Sequence, residues 1–449
     1  MRAHIISSFV LAAAAAIAIV LAPSLAGSPA SSIRSSDEAQ SGAMPEDELD
    51  GKDLRLNDSH RPKVEASFTR ESYGPGSRAR LVFVSTAKNV TLQFFRAGAQ
   101  HRAIRANDVM LGKSVSSITR LGAVSPRRSR AVRIGNWPSG MYFARLTARG
   151  GRVGFAPFVL HPRRLGEHRV AVVLSTQTWQ AYNFRDENHD NVGDTWYADW
   201  RHKTLRLGRA YLNRGVPSHY KYYEDPFLRW LLATGKDVDY LSDSDLDRVR
   251  SGRELARDYV LIIFPGHHEY VTTNEYNNVT SFRNLGGNLM FMSADNFYWR
   301  VTRHGGYMTK TRSWRSLGRP ESSLIGVQYL ANDHGTHRGP WRVRNEDAVP
   351  WLFADTHLQN GAPFGNAGIE VDHVTPHSPA QTKVVAMIPN VFRPGISAYM
   401  TYYETPGGAK VFAAGAFSLA TSIWRLPMRQ MVENLWTKLT SDQDTGGAR

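Results

Sequence analysis

Residues 262–271 read IIFPGHHEYV, an apolar run that ends in His267, His268, Glu269 and Tyr270. A strand buried on both faces of a parallel sheet reads as a short continuous apolar run, and the groups just past its carboxyl end face the ligand crevice. Two further runs end the same way: HRVAVVLSTQTWQAYN delivers Thr178, Tyr182 and Asn183, and NLMFMSADNFYW delivers Asp295 and Asn296. Each of these residues alone is more often a cap, a turn former or a satisfied half-buried group. Three such strand ends together predict a ligand site at one edge of a sheet.

The residue types narrow the chemistry. HHE lacks the helix-borne H-E-x-x-H spacing of a zinc protease, because position 272 is Thr272. There is no cysteine, which excludes a thiolate nucleophile, and no Gly-x-Ser-x-Gly elbow for a serine hydrolase. Glu269 with Glu404 leaves a glycosidase-like carboxylate pair open. The residues themselves lead to an oxygen-rich site able to hold a hard metal ion. A second ion is suggested by DENHDNVGDTWYAD, where Asp186, Asn188, Asp190 and Asp194 are spaced like the start of a calcium loop. That loop departs from an EF-hand at Asn191, where glycine belongs, and at Tyr197, where glutamate belongs. A solvated acidic turn accounts for it equally well.

The elements that must position these groups follow from patterning. MRAHIISSFVLAAAAAIAIVLAPSLAGS has a positive start, an apolar stretch and small residues at Ser24 and Ala26, so residues 1–26 read as a signal peptide cleaved after Ala26. Residues 27–62 are rich in Ser, Asp, Glu, Gly and Pro and read as a disordered linker; residues 442–449 read as a disordered tail. Residues 63–163 alternate apolar and polar over short stretches with Gly and Pro between, the pattern of an Ig-like β-sandwich. Residues 168–441 alternate strand and helix patterns, which predicts a flavodoxin-like doubly wound parallel sheet with helices on both faces. PFLRWLLATG, NEYNNVTSFRNLGG and PMRQMVENLWTKLT read as helices, whereas residues 300–402 read as rich in loops. Net charge is +15 at pH 7, with arginines clustered in HRAIRANDVMLGKSVSSITRLGAVSPRRSRAVR. They lack interleaved aromatics and accompany no nucleic-acid motif, so they read as a solvated face. The reading is of an exported chain with no nucleic-acid partner and no membrane span after cleavage.

TWQAYN, PFLRWL with GKDVDYLSDSDLD, PGHHEY, LGGNLMFMSADNFYWR and YYETPGGAKVFAAGAF, in this order, resemble the large-subunit family of N,N-dimethylformamidase over roughly residues 130–440. The resemblance implies a β-sandwich ahead of a cysteine-free amidotransferase-like domain. It also implies an amidohydrolase with one iron bound by two tyrosines and a glutamate. Carried onto this sequence, the iron ligands are Glu269, Tyr182 and, in PSGMYFARL, Tyr142; the supporting catalytic residues are His267, Asn296 and Glu404. The family pattern G-H-D-E-Y-W is altered here to His268 in place of Asp and Val271 in place of Trp, which bears on pocket shape and substrate. The implied substrate is a small amide or related C–N compound, with room for a homo-oligomer or a small partner subunit. The competing expectation is a non-catalytic surface-binding protein with a degenerate α/β domain.

Overall fold

The computed structural model describes residues 60–441 except 127, 200 and 418. The signal peptide, nearly all of the linker and the tail read from the sequence lie outside the described residues. Among the described residues, no helix is long and apolar enough to cross a membrane.

Strands between Ala66 and Leu160 pair only with one another, in two sheets. Ala66–Phe68, Arg78–Phe83 and Arg130–Arg133 form a three-stranded sheet; Ala87–Ala97, Gly140–Ala148 and Arg152–Leu160 are the long strands of a six-stranded one. Side chains alternate across a strand, and here both faces of the larger sheet are used. From Gly140–Ala148, Tyr142, Ala144 and Leu146 point into the core shared with the smaller sheet. Met141 and Phe143 point the other way, into the main core of the α/β portion. That second burial joins the two portions. Polar contacts reinforce it: Arg185 Nη2 lies 2.7 Å from Glu65 Oε1, and the Tyr240 amide donates to Ser139 Oγ at 2.8 Å.

The α/β portion is built on an eleven-stranded mixed sheet. Asp239–Ser242, Val170–Leu174, Leu261–Phe264, Asn288–Phe291 and Lys410–Ala413 are parallel neighbours in that order. These strands are apolar on both faces: Val170, Val172 and Leu174 enter one core, and Ala171 and Val173 enter another. Helices cover both faces. Asp225–Ala233 and Met428–Thr440 supply Leu228, Leu231 and Leu435 to the first core, while Asp243–Arg248, Gly252–Asp258 and Thr273–Asn284 supply Leu246, Leu255 and Val279 to the second. Thr273–Asn284 starts on a reciprocal cap, with Thr272 Oγ1 accepting from the Glu275 amide and Glu275 Oε2 accepting from the Thr272 amide.

Beyond Lys410–Ala413 the sheet continues through five antiparallel strands drawn from residues 328–404, the stretch read from sequence as loops. Their alternation is masked by register shifts in three of those pairings. The expected purely parallel sheet is therefore parallel over one half only.

One buried carboxyl sits beneath the sheet edge. Glu224 is fully buried and accepts hydrogen bonds from Ser175 Oγ and Trp179 Nε1, both at 3.0 Å. A side chain at Gly266 would collide with it, which explains glycine in the PGHHEY turn. Burial pushes the Glu224 carboxyl up to about 8. The folded chain thus keeps a proton that the unfolded chain loses in the ordinary carboxyl range, so this group erodes stability as pH rises from about 5 to about 8. Glu224→Gln is expected to raise the melting temperature by a margin that widens across that interval. Thermal scans of both proteins over the interval check it, and a margin constant with pH would place the titration elsewhere.

Candidate functional site

The strand Leu261–Phe264 ends in a turn whose four side chains diverge. His267 and Glu269 line a buried pocket of about 320 Å³. His268 points away, with Nδ1 against Gly266 O at 3.2 Å and its ring edge-on to Phe264. Tyr270 opens a small four-stranded sheet in which Tyr270–Thr272 pairs with Trp299–His304. The Trp299 amide donates to Glu269 O at 2.9 Å, tying the turn to the pocket wall.

Glu269 Oε2 is the meeting point of two phenols. Tyr182 Oη donates to it at 3.0 Å and Tyr197 Oη at 2.7 Å. Tyr182 follows directly on the helix Thr176–Ala181, and Tyr197 comes from the loop after it; the two rings lie 4.4 Å apart. Burial, and then the Glu269 charge, hold both phenols well above the ordinary tyrosine range, so both are protonated donors here. Burial pushes the Glu269 carboxyl up to about 7, with the Asp295 charge adding to the effect.

On the far side of Glu269, His267 Nε2 lies 3.7 Å from Glu269 Oε2 and 3.6 Å from both Asp295 Oδ2 and Glu370 Oε2. Donor atoms of His267, Asp295 and Glu370 all fall within 4.8 Å of one another, a group able to hold a metal ion. His267 Nε2, Asp295 Oδ1 and Glu370 Oε2 are buried and have no hydrogen-bond partner. Burial pushes the His267 imidazole down to about 4, so the ring is neutral at neutral pH. Backbone strain accompanies this geometry: Asp295 has φ 50° and Ile369, beside Glu370, has φ 68°, left-handed values that a β-branched residue rarely adopts. Asn332 Nδ2 fixes the other oxygen of Glu370 at 2.8 Å.

The residues singled out from sequence separate cleanly. Tyr182, His267, Glu269 and Asp295 converge on the pocket. Tyr142 does not: it is 0% exposed in the core between the two β-sheets, where its hydroxyl donates to Pro138 O at 2.9 Å and its ring stacks on Trp137. Strand parity turns it away from the α/β portion, and Tyr197 stands where a second tyrosine was expected. Asn296 braces the turn instead of lining the pocket, accepting from the His268 amide at 3.2 Å and donating to Ser293 O at 3.0 Å. Asn183 is structural too, donating to Ala210 O at 3.2 Å, and Thr178 lies within the short helix. Glu404 is at the surface, bonded to Tyr402 Oη, with Lys438 Nζ at 3.8 Å and Lys410 as its cross-strand partner.

The acidic loop closes on itself. Asp186 accepts from the His189 and Asn191 amides, Asn188 from the Asp190 amide, Asp190 from the Val192 amide, and Asp194 from the Glu187 amide at 2.7 Å. These bonds are Asx-type turns that hold the loop through its own side chains. The loop's contribution to the site is Tyr197, conspicuous in the sequence only as a misfit in the calcium pattern. Glu370 left no local signal, because it sits in a bulged strand of the stretch read as loops.

The profile of the C-terminal domain of N,N-dimethylformamidase beta subunit-like proteins matches residues 127–430, more than half of the chain. The chain belongs to this family. Membership supports hydrolase activity on a C–N bond other than a peptide bond, and the His267, Asp295 and Glu370 group supports metal dependence. No curated protein matches the chain. Among solved structures, similarity is slight. The alkylpurine DNA glycosylase AlkC of Pseudomonas fluorescens is 16% identical over 25% of this chain and 34% of its own, with a TM-score of 0.15. Superoxide reductase (neelaredoxin) of Ignicoccus hospitalis is 14% identical over 24% of this chain and 86% of its own, with a TM-score of 0.14. PhoD is 9% identical over 79% of this chain and 92% of its own, with a TM-score of 0.20. The chain thus spans about a third of the glycosylase, and scores this low carry no structural argument.

Glu370→Gln and Glu404→Gln separate the two carboxylates. Metal retention or turnover is expected to fall by about 10–100-fold in the first and to stay within about twofold in the second. Elemental analysis and amide hydrolysis on matched preparations check this, and the reverse order would restore Glu404 to the site.

Proposed function

We propose that this protein is a metal-dependent amidohydrolase that cleaves a small amide or related C–N bond, and that it works after export. The observation that carries the reading is the convergence of two phenols and one carboxylate oxygen: Tyr182 and Tyr197 both on Glu269 Oε2, inside the pocket. This is the donor set, two tyrosines and a glutamate, that the family resemblance implies for iron, with Tyr197 in place of Tyr142. The residues fit such an ion. Phenolate and carboxylate are hard anionic oxygen donors suited to iron in its more charged state, and a cation here would take the place of the two phenolic protons now shared with Glu269. His267 Nε2, Asp295 Oδ1 and Glu370 Oε2 lack partners as well; in this reading that group, which could itself hold a cation, is left to serve water and the amide beside the ion.

An ion in this place supplies Lewis acidity, polarising an amide carbonyl and acidifying a bound water. The chain does the rest. His267 is neutral and its Nε2 is free to take a proton from water and return it to the leaving amine. A bound cation would favour the ionised forms of Asp295 and Glu370, each 3.6 Å from that nitrogen, and in that state they would stabilise the imidazolium while it carries the proton. Tyr298, Trp299, Tyr329 and Phe417 complete the wall and limit the cavity to a small substrate. The finer fold reading, an Ig-like sandwich ahead of an amidotransferase-like sheet, belongs to the same proposal. It is supported by the shared core of the two β-sheets and by the five parallel strands with helices on both faces.

Four substitutions test the assignment. Glu269→Gln is expected to lose both iron and amidase activity while the fold persists, because a neutral amide is a far poorer donor than a carboxylate. Tyr197→Phe is expected to shift or abolish the visible phenolate-to-iron band, and Tyr142→Phe to leave it in place. His267→Ala is expected to keep the metal while turnover falls by about 10²–10⁴-fold. Full iron occupancy in Glu269→Gln would sink the reading.

A further inference from the structure

The arginine-rich stretch read from sequence as a solvated face lends exposed Arg102 and Lys113 to the rim of a second cavity. A cleft of about 1080 Å³, more than three times the volume of the catalytic pocket and sharing no lining residue with it, opens where the six-stranded β-sheet meets the helix Asp225–Ala233. Its lining includes Arg96, Arg102, Lys113 and Arg229, and no aspartate or glutamate. Two indoles, Trp137 and Trp424, line it as well.

The cations are arranged at a cost. Arg96 and Lys113 are direct cross-strand partners on neighbouring antiparallel strands, a like-charge pairing that destabilises a sheet unless an anion lies between the two groups. Arg96 is half-buried and reaches the Ser139 carbonyl at 3.4 Å; neither it, Lys113 nor Arg102 pairs with a carboxylate among the described residues. Arg229 is 8% exposed and held rigidly, with Nε donating to Asp225 Oδ2 at 3.0 Å and its guanidinium 4.7 Å from the centroid of the Trp424 ring. Trp137 is fixed by stacking on Tyr142 at 5.3 Å. The two indoles are held in place by neighbouring side chains, and one of them, Trp424, is 39% exposed.

We propose that this cleft binds an acidic oligosaccharide. Carboxylates spaced along the chain answer Arg96, Lys113 and Arg102, and the apolar faces of the sugar rings lie on Trp137 and Trp424. The volume of the cleft, about 1080 Å³, suits several sugar rings, where the pocket of about 320 Å³ suits one small molecule. The assignment also explains why Tyr142 belongs to the β-portion: it is the support under Trp137.

Isothermal titration of the full chain with a short oligogalacturonate tests this. Binding is expected in the wild type and is expected to weaken with added salt. In the double variant Arg102→Gln, Lys113→Gln, both of whose sites are exposed, affinity is expected to fall by about tenfold or more. In Trp424→Ala it is expected to fall without loss of the salt dependence. Iron content and amide hydrolysis are expected to match wild type in both variants. The proposal is overturned by absence of binding in the wild type or by equal affinity for a matched neutral oligosaccharide. Equal affinity for polyphosphate or a DNA oligomer, which would reveal charge attraction alone, overturns it as well, and so does unchanged affinity in the variants.

Discussion

Three carboxylates face one imidazole in a pocket that contains no lysine or arginine. Burying an ionised carboxylate without a partner is far more costly than any other polar burial, so the group must be protonated, hydrogen-bonded or matched by a cation. Glu269 takes the second course through Tyr182 and Tyr197; Asp295 and Glu370 are pushed well above the ordinary carboxylate range by burial and by other carboxylates. A positive ion in the pocket would compensate all three carboxylates in their charged forms. The strained backbone at Asp295 and Ile369 belongs to the same requirement, since it aims groups where folding alone would not put them.

The rest of the molecule holds that pocket in shape. Five parallel strands set the turn that carries His267 and Glu269, the antiparallel extension brings Glu370 in from the opposite side, and the small sheet beginning at Tyr270 supplies Trp299. The β-portion touches none of these groups directly. Its larger sheet buries Met141 and Phe143 in the main core, and each such side chain contributes about 1.5–3 kcal/mol of burial. Gly98 packs so closely on Leu228 that a Cβ would stand 3.0 Å from its backbone, and the helix Asp225–Ala233 is held against the sheet by that approach. This helix follows immediately on Tyr223 and Glu224, one at the pocket wall and one beneath it, so the β-portion frames the site from a distance.

The two cavities divide the charge of the protein between them. The pocket around Glu269 is acidic and aromatic, and the cleft is cationic and aromatic. A net charge of +15 therefore says little about the reaction and more about what the surface meets. An acidic pocket favours cations or uncharged molecules, whereas a cationic cleft favours anions.

Much of the site was legible because it lies at strand ends. IIFPGHHEYV, AVVLSTQTWQAYN and NLMFMSADNFYW each announce a buried strand by an unbroken apolar run and a site by the polar residues after it, and Tyr182, His267, Glu269 and Asp295 all meet. The helices followed from apolar spacing, as in Met428–Thr440, which buries Met428, Met431, Val432, Leu435 and Leu439 on one face. Composition alone excluded thiolate chemistry and disulfides. Tertiary structure decided the rest. Whether Tyr142 or Tyr197 supplies the second phenol depends on strand parity and loop closure, which put one ring in a core between two sheets and the other 2.7 Å from Glu269. Whether Glu404 or Glu370 is the distal carboxylate depends on which antiparallel strand carries a bulge toward the pocket. A local pattern reports which face of its own element a residue occupies; which other element that face meets is settled only when distant segments pack.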